Sequence, residues 1–255
     1  MSARDLSPFA ARFGWSLTDR IKPLCIAHRG ASGHATENTL RAFERAADLG
    51  ADMWELDTQL TRDGVVVVSH DDHLLRVFGV DLHISQVTGD ELAARPDVDV
   101  PTFDAVATLA RQTGCGLYIE LKARGTGLLC WQALARHAQR FACLGSFDTA
   151  QVRELRDAGC DYPLSVLVRV GDDPHVEGDR AGADILHLCW ERAGSRPQDL
   201  VTQALLARAF GDQREVVLWH EERVDILADL MQLPVLGICT DLPDLMRPQS
   251  RSETG

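Results

Sequence analysis

Short apolar runs alternate with longer amphipathic stretches along most of the chain. The runs are PLCIA (23–27), ADMWELDTQL (51–60), VVVVSH (65–70), GLYIEL (116–121), CLGSF (143–147), PLSVLV (163–168), DILHL (184–188), EVVLW (215–219) and PVLGIC (234–239). Between them lie helical patterns such as TLRAFERAADLG (39–50), TFDAVATLARQTG (102–114), TAQVRELRDAG (149–159), PQDLVTQALLARAFG (197–211) and RVDILADLMQL (223–233). Strands alternating with helices of this length predict a parallel sheet with helical crossovers. Nine runs are one too many for an eight-stranded barrel. Only Thr61-Arg62-Asp63-Gly64 separates the second from the third. A parallel connection needs about a dozen residues or more, so these two runs are expected to form an antiparallel hairpin. The fold expected is therefore α/β: a (β/α)₈ TIM barrel with an extra antiparallel hairpin strand after strand 2. It is expected as a single domain over residues 1–255, with its core at about 23–245.

A barrel of this kind carries its chemistry at the C-terminal ends of the strands. Those ends here bear His28-Arg29-Gly30, Glu55-Leu56-Asp57, Glu120-Leu121-Lys122, Trp219-His220 and Thr240-Asp241. Residues i and i+2 of a strand share a face, which pairs Glu55 with Asp57 and Glu120 with Lys122. A two-residue turn at 63–64 would set His70 opposite Asp57, and one at 62–63 would set it opposite Glu55. Either places His70 on the carboxylate face, whereas a three-residue loop would break that parity.

Three carboxylates converging on one mouth repel one another unless a cation neutralises them. Oxygen-only ligands favour a hard divalent ion, Mg²⁺ or Ca²⁺, held by Glu55, Asp57 and Glu120. His28 and His70 supply groups that titrate near neutrality, as general acid/base chemistry requires. Arg29 and Lys122 supply fixed positive charge suited to a phosphate.

The formal charge of −12 argues against nucleic acid or an anionic membrane surface as a partner. Of 26 basic residues only Lys22 and Lys122 are lysines, which singles out Lys122. No apolar run approaches the roughly 20 residues that span a bilayer, and the first residues lack a secretory apolar stretch, so a cytoplasmic location without membrane insertion is expected. The seven cysteines form no Cys-x-x-Cys pair, which argues against a disulfide framework and a zinc site. Cys25, Cys189 and Cys239 lie in apolar runs and read as small core residues.

The segments HRGASGHATENTLRAF (28–43), ADMWELDTQLTRDGVVVVSHDDHLLR (51–76), VPTFDAV (100–106), YIELK (118–122) and TDLP (240–243), in this order and spacing, closely resemble the glycerophosphodiester phosphodiesterase family. The resemblance runs from about residue 23 to about 245. It implies metal-dependent hydrolysis of a small glycerophosphodiester to glycerol 3-phosphate and an alcohol. It also implies that Glu55, Asp57 and Glu120 hold the ion, that His28 and His70 act as acid and base, and that Arg29 and Lys122 contact phosphate. The glycerol hydroxyl beside the phosphoester would attack phosphorus, and water would open the resulting cyclic phosphate. One position and one short motif depart from the family pattern. Thr36 stands where proline is usual, and Trp219-His220-Glu221-Glu222 replaces Trp-Thr-Val-Asn, which bears on the glycerol and leaving-group contacts of that loop. The short stretch between His70 and Val100 implies that a large cap domain is absent or much reduced.

Glu37 is expected to orient Arg29, while Asn38 or Thr39 caps the helix that begins there. Phe147 and Trp219, at strand ends, either line the glycerol pocket or pack. Two rival functions remain: a lysophospholipase D-like activity, for which no apolar membrane-docking loop is visible, and a non-catalytic metal- and anion-binding barrel, which would not need both histidines.

Overall fold

The computed structural model describes residues 6–17 and 23–247; Lys22 lies outside them. In chain order the strands are β1 (Leu24–Ala27), β2 (Met53–Leu60), β3 (Val66–Val68), β4 (Gly116–Leu121), β5 (Ala142–Ser146), β6 (Leu164–Arg169), β7 (Ile185–Cys189), β8 (Glu215–His220) and β9 (Gly237–Thr240). Their order is β1-β9-β8-β7-β6-β5-β4-β2-β3, and a further β1–β2 pairing closes eight parallel strands into a ring. β3 stays outside the ring as the antiparallel partner of β2. This is the expected (β/α)₈ barrel with its hairpin strand.

The helices are α1 (Ser7–Phe13), α2 (Leu40–Asp48), α3 (Leu75–Phe78), α4 (Gly89–Ala93), α5 (Phe103–Thr113), α6 (Thr126–Arg136), α7 (Thr149–Asp157), α8 (Pro174–Ala181), α9 (Gln203–Gly211), α10 (Val224–Leu230) and α11 (Pro243–Met246). Several begin where a polar side chain satisfies an orphan N–H: Thr39 accepts from the Ala42 amide, Thr102 from Ala105 and Asp148 from Ala150. The same device divides the 197–211 stretch. A 3₁₀ turn at Pro197–Leu200 comes first, and Thr202 then caps α9 by accepting from Leu205.

Strand alternation sorts the side chains into two cores. Trp54, Leu56, Leu117, Ile119 and Leu121 face the helices, in one large apolar cluster with Phe43, Phe103 and Val106. Leu24, Ile26, Met53, Tyr118, Cys143 and Val217 face the barrel interior. Phe9, Phe13 and Trp15 of the N-terminal segment join this inner cluster against Leu24 and Met53, near the beginnings of the strands, so α1 plugs the end opposite the mouth. All seven cysteines are free thiols, and all but Cys189 are buried. In place of a large cap, residues 71–100 fold into α3, a 3₁₀ turn and α4 around Leu74, Ile84 and Leu92.

The hairpin register differs from both turns considered above. Thr58 pairs with Val68, Gln59 with Val67 and Leu60 with Val66, and the Thr61 amide donates to Val65. The loop therefore has three residues, with Gly64 at φ 85°, a left-handed conformation glycine adopts without strain. Continued in this register, His70 would oppose Leu56 on the helix-facing side. It escapes that fate because the ladder stops at Val68. The Ser69 amide still donates to the Asp57 carbonyl, the Ser69 hydroxyl donates to the Asp71 carbonyl, and Gln59 donates to the His70 carbonyl. This turn, and not strand parity, carries the imidazole to the mouth.

Candidate active site

Parity does place the carboxylates. Met53 and Tyr118 point inward, so Glu55, Asp57 and Glu120, two and four residues on, point inward nearer the strand ends. Asp57 pairs with Glu120 in the β2–β4 register, which brings the two side by side. One oxygen of each of Glu55, Asp57 and Glu120 lies within 4.8 Å of the others, and all three residues are buried.

Two cations reach into this cluster. Lys122 Nζ is 2.7 Å from Glu120 Oε1 and 3.3 Å from Asp57 Oδ1. Arg29 Nε is 3.2 Å from Asp57 Oδ2, and its backbone N–H donates to Glu55 Oε2 at 3.0 Å. Asn38 Nδ2 donates to the same Asp57 oxygen at 2.9 Å. Two cations do not balance three carboxylates. Burial, followed by the charges of Asp57 and Glu120, holds Glu55 well above the usual carboxylate range. Burial and the Asp57 charge push Glu120 up to about 7. Of the three, Asp57 alone is lowered: burial is the largest single influence and raises it, but Lys122, Arg29, His70 and the Asn38 hydrogen bond together outweigh it. A buried all-oxygen cluster with unbalanced negative charge fits a hard divalent cation.

The two histidines are held alike. Each uses Nδ1 against a carboxylate: His28 against Asp241 Oδ1 and His70 against Asp71 Oδ1, both at 2.7 Å. In each case an anionic acceptor favours hydrogen on Nδ1, which leaves Nε2 to take or give the proton in transfer. His28 Nε2 lies 4.0 Å from Glu55 Oε2. Burial holds the His28 imidazole below its usual pKa despite the Asp241 bond.

A cavity of about 230 Å³ opens at this mouth, lined by His28, Arg29, Glu55, His70, Glu120 and Lys122, with Phe147 and Trp219 in its wall. Phe147 carries the Arg169 guanidinium 4.6 Å from its ring centroid and Lys122 at 5.9 Å. Trp219 also packs: it is 1% exposed, and its Nε1 donates to Glu221. Glu37 accepts from Arg29 at 2.9 Å and from Arg76 at 2.6 Å. All ten candidate residues thus surround one cavity or touch a residue that lines it.

The sequence assigns no site role to Asp71, Arg76, Asp241 or Asn38, although Asp241 stands at a strand end and Asn38 is a candidate cap. Asp71 follows His70 directly, and Asp241 stands in the TDLP segment at a strand end; adjacency to a candidate histidine and strand-end position were the available signals. Thr39, and not Asn38, caps α2, which frees Asn38 for Asp57. Arg29 and Asn38 both have positive φ, 56° and 58°, and the Asn38 amide donates to the Arg29 carbonyl. Non-glycine residues held in that region are concentrated at functional sites.

The geometry agrees with comparisons to known proteins. The chain is 27% identical over 247 residues to a Bacillus subtilis protein provisionally named a glycerophosphodiester phosphodiesterase, covering 89% of this chain and 98% of that one. A stretch of 67 residues, 26% of this chain and 21% of the relative, is 49% identical to a human lysophospholipase D. The fold is similar to that of a phosphodiesterase from Oleispira antarctica solved with its product sn-glycerol 3-phosphate. That match has a TM-score of 0.74 at 21% identity and covers 89% of this chain and 96% of that one. The model of the glycerophosphoryl diester phosphodiesterase family matches residues 28–245, and the chain belongs to that family.

Proposed function

We propose that this protein hydrolyses glycerophosphodiesters to glycerol 3-phosphate and an alcohol, with a divalent ion held by Glu55, Asp57 and Glu120. One observation carries the reading: two histidine–aspartate pairs line the same small mouth as a buried three-carboxylate cluster and two cations. A binding barrel has no use for two oriented imidazoles, whereas proton transfer to and from a phosphodiester needs both.

Arg29 and Lys122 bind the phosphate of the diester and fix its orientation. A bound divalent ion would neutralise charge developing on the phosphoryl oxygens. His28, kept neutral by burial, takes the proton of the glycerol hydroxyl beside the phosphoester as that oxygen attacks phosphorus. His70 enters this step as the imidazolium and delivers its Nε2 proton to the departing alkoxide, so the alcohol leaves neutral, His70 becomes neutral and a cyclic phosphate remains. Water then opens the ring with the two imidazoles in reversed roles, restoring both protonation states. Phe147, in the cavity wall, packs against the glycerol carbons, and Trp219 packs behind that wall.

The deciding experiment incubates the purified protein with glycerophosphocholine, glycerophosphoethanolamine, glycerophosphoinositol and a lysophospholipid, with Mg²⁺ or Ca²⁺ and with chelator. The expected result is metal-dependent release of glycerol 3-phosphate from the water-soluble diesters. Release from the lysophospholipid alone would favour the lysophospholipase D-like activity, and none from any substrate would leave a binding barrel.

A further inference from the structure

We propose that His220 is a positioning residue that holds the ring plane of His28 through stacking, at a strand end that fixes His28 on its face and its edge together. The inference rests on the assignment of His28 to proton transfer.

The first observation is a register shift. In the β8–β9 pairing Leu218 faces Ile238, but the next matched pair is His220 with Cys239, leaving Trp219 as an extra residue. Val217 points into the barrel. Simple alternation would send Trp219 inward and His220 out to the helices. The bulge reverses this: Trp219 joins the outer apolar cluster, and His220 shares the cavity wall with Cys239. A bulge that re-aims one side chain beside a site is a recurrent device.

The second observation is what His220 meets. Its ring lies parallel to that of His28, at a 2° interplanar angle and 4.5 Å between centroids. Neither ring nitrogen of His220 has a hydrogen-bond partner among the described residues, so the contact it makes is through its face. The third observation is on the edge of His28. Asp241, which holds Nδ1 at 2.7 Å, has its own backbone N–H tied to Glu222 Oε1 at 2.9 Å. Two residues at the end of β8 therefore control His28: His220, the last of the strand, directly, and Glu222, two residues on, through Asp241.

Both constraints are needed for physical reasons. One hydrogen bond at Nδ1 leaves the imidazole free to tip about the N···O line, which swings Nε2 through an arc. A flat ring against its face removes that freedom. Displacing a catalytic group by about 1 Å can cost roughly 10²-fold in rate. The benefit lies in the ring face and not in the nitrogens of His220, so a hydrocarbon ring of similar size serves equally.

The test compares His220→Ala with His220→Phe in the full-length metal-loaded protein, reading kcat, KM and the His28 ring-proton resonances. The Ala variant is expected to lose about 10- to 100-fold in kcat with KM little changed, and its His28 resonances should move as the ring-current shift disappears. The Phe variant should recover kcat to within about threefold and keep a ring-current shift. The stacking role is overturned if Phe is as poor as Ala while His28 remains stacked, which would place the function in the His220 nitrogens. It is equally overturned if Ala retains wild-type kcat or leaves the His28 resonances unmoved. The resonances need no turnover, so a wild-type protein inactive on every diester would refute the proposed function while the stacking contact was still decided.

Discussion

His70 Nδ1 lies 2.7 Å from Oδ1 of Asp71, the residue that follows it, and Arg76 Nε holds the other oxygen of that carboxylate at 2.6 Å. Arg76 also spans both oxygens of Glu37, which in turn holds Arg29. A helix of the small insertion thus ties one histidine of the site to an arginine on its far side. Asp71→Asn should lower kcat about 10-fold, short of the roughly 10²–10⁴-fold expected for removing the imidazole itself. Arg76→Met should cost less, since it frees Asp71 without removing the acceptor. An Asp71→Asn enzyme with unchanged kcat across the pH range would show that the pair does not orient His70.

Removing either imidazole tests the acid/base assignment directly. His28→Ala and His70→Ala should each reduce turnover by roughly 10²–10⁴-fold. The double variant should lose less than the product of the singles, because groups serving one mechanism are not additive. Steady-state kinetics on one diester decides this, and near-wild-type turnover in either single variant removes that residue from the reaction.

Metal binding should compete with protons. In the metal-free protein Glu120 sits at about 7, raised first by burial and then by Asp57, against about 4.3 for an unfolded glutamate. Because the folded value is the higher, this group's contribution to stability is full below about 4.3 and is lost as pH rises through about 7. A divalent ion needs the ionised carboxylate, so Mg²⁺ or Ca²⁺ should raise Tm more at about pH 8 than at about pH 5.5. Thermal unfolding with ion or chelator at both pH values measures this. An equal rise at both would count against Glu120 as a ligand.

The internal nucleophile can be isolated with one substrate analogue. A 2-deoxy glycerophosphocholine keeps the charge and leaving group but lacks the hydroxyl beside the phosphoester. A tethered nucleophile avoids much of the entropy cost of a bimolecular step, with effective molarities of roughly 10⁵ M and above. The analogue should bind as an inhibitor and turn over almost not at all. Comparable turnover of both compounds would mean direct attack by water and would exclude the cyclic intermediate.

Gly30 supplies a stability prediction. It follows Arg29 at φ 80°, and a Cβ there would lie 2.7 Å from the Ala42 carbonyl carbon and 2.8 Å from its oxygen. Backbone cannot yield as a flexible side chain can, so Gly30→Ala should destabilise the protein by roughly 2–4 kcal/mol from strain and overpacking together. Urea unfolding measures it; a midpoint within error of wild type would mean that the β1–α2 turn relaxes freely.

The barrel, its hairpin strand and the common face of five candidate site residues are legible in the residue pattern. The reason is periodicity: a strand alternates strictly, so His28, Glu55, Asp57, Glu120 and Lys122 acquire a common face as soon as their strands are recognised. The arrival of His70 at the mouth is not legible there, because a three-residue loop reverses the hairpin parity and a turn held by Ser69 and Gln59 undoes the reversal. The tertiary structure decides it, and also decides which residues hold the two imidazoles. Asp241 lies 213 positions from His28, and His220 reaches His28 only through a one-residue bulge in β8. Period-2 patterning reports which face a strand residue takes while the ladder is regular. Bulges, strand ends and contacts between distant loops are set by packing across the closed barrel, which leaves no local periodic trace.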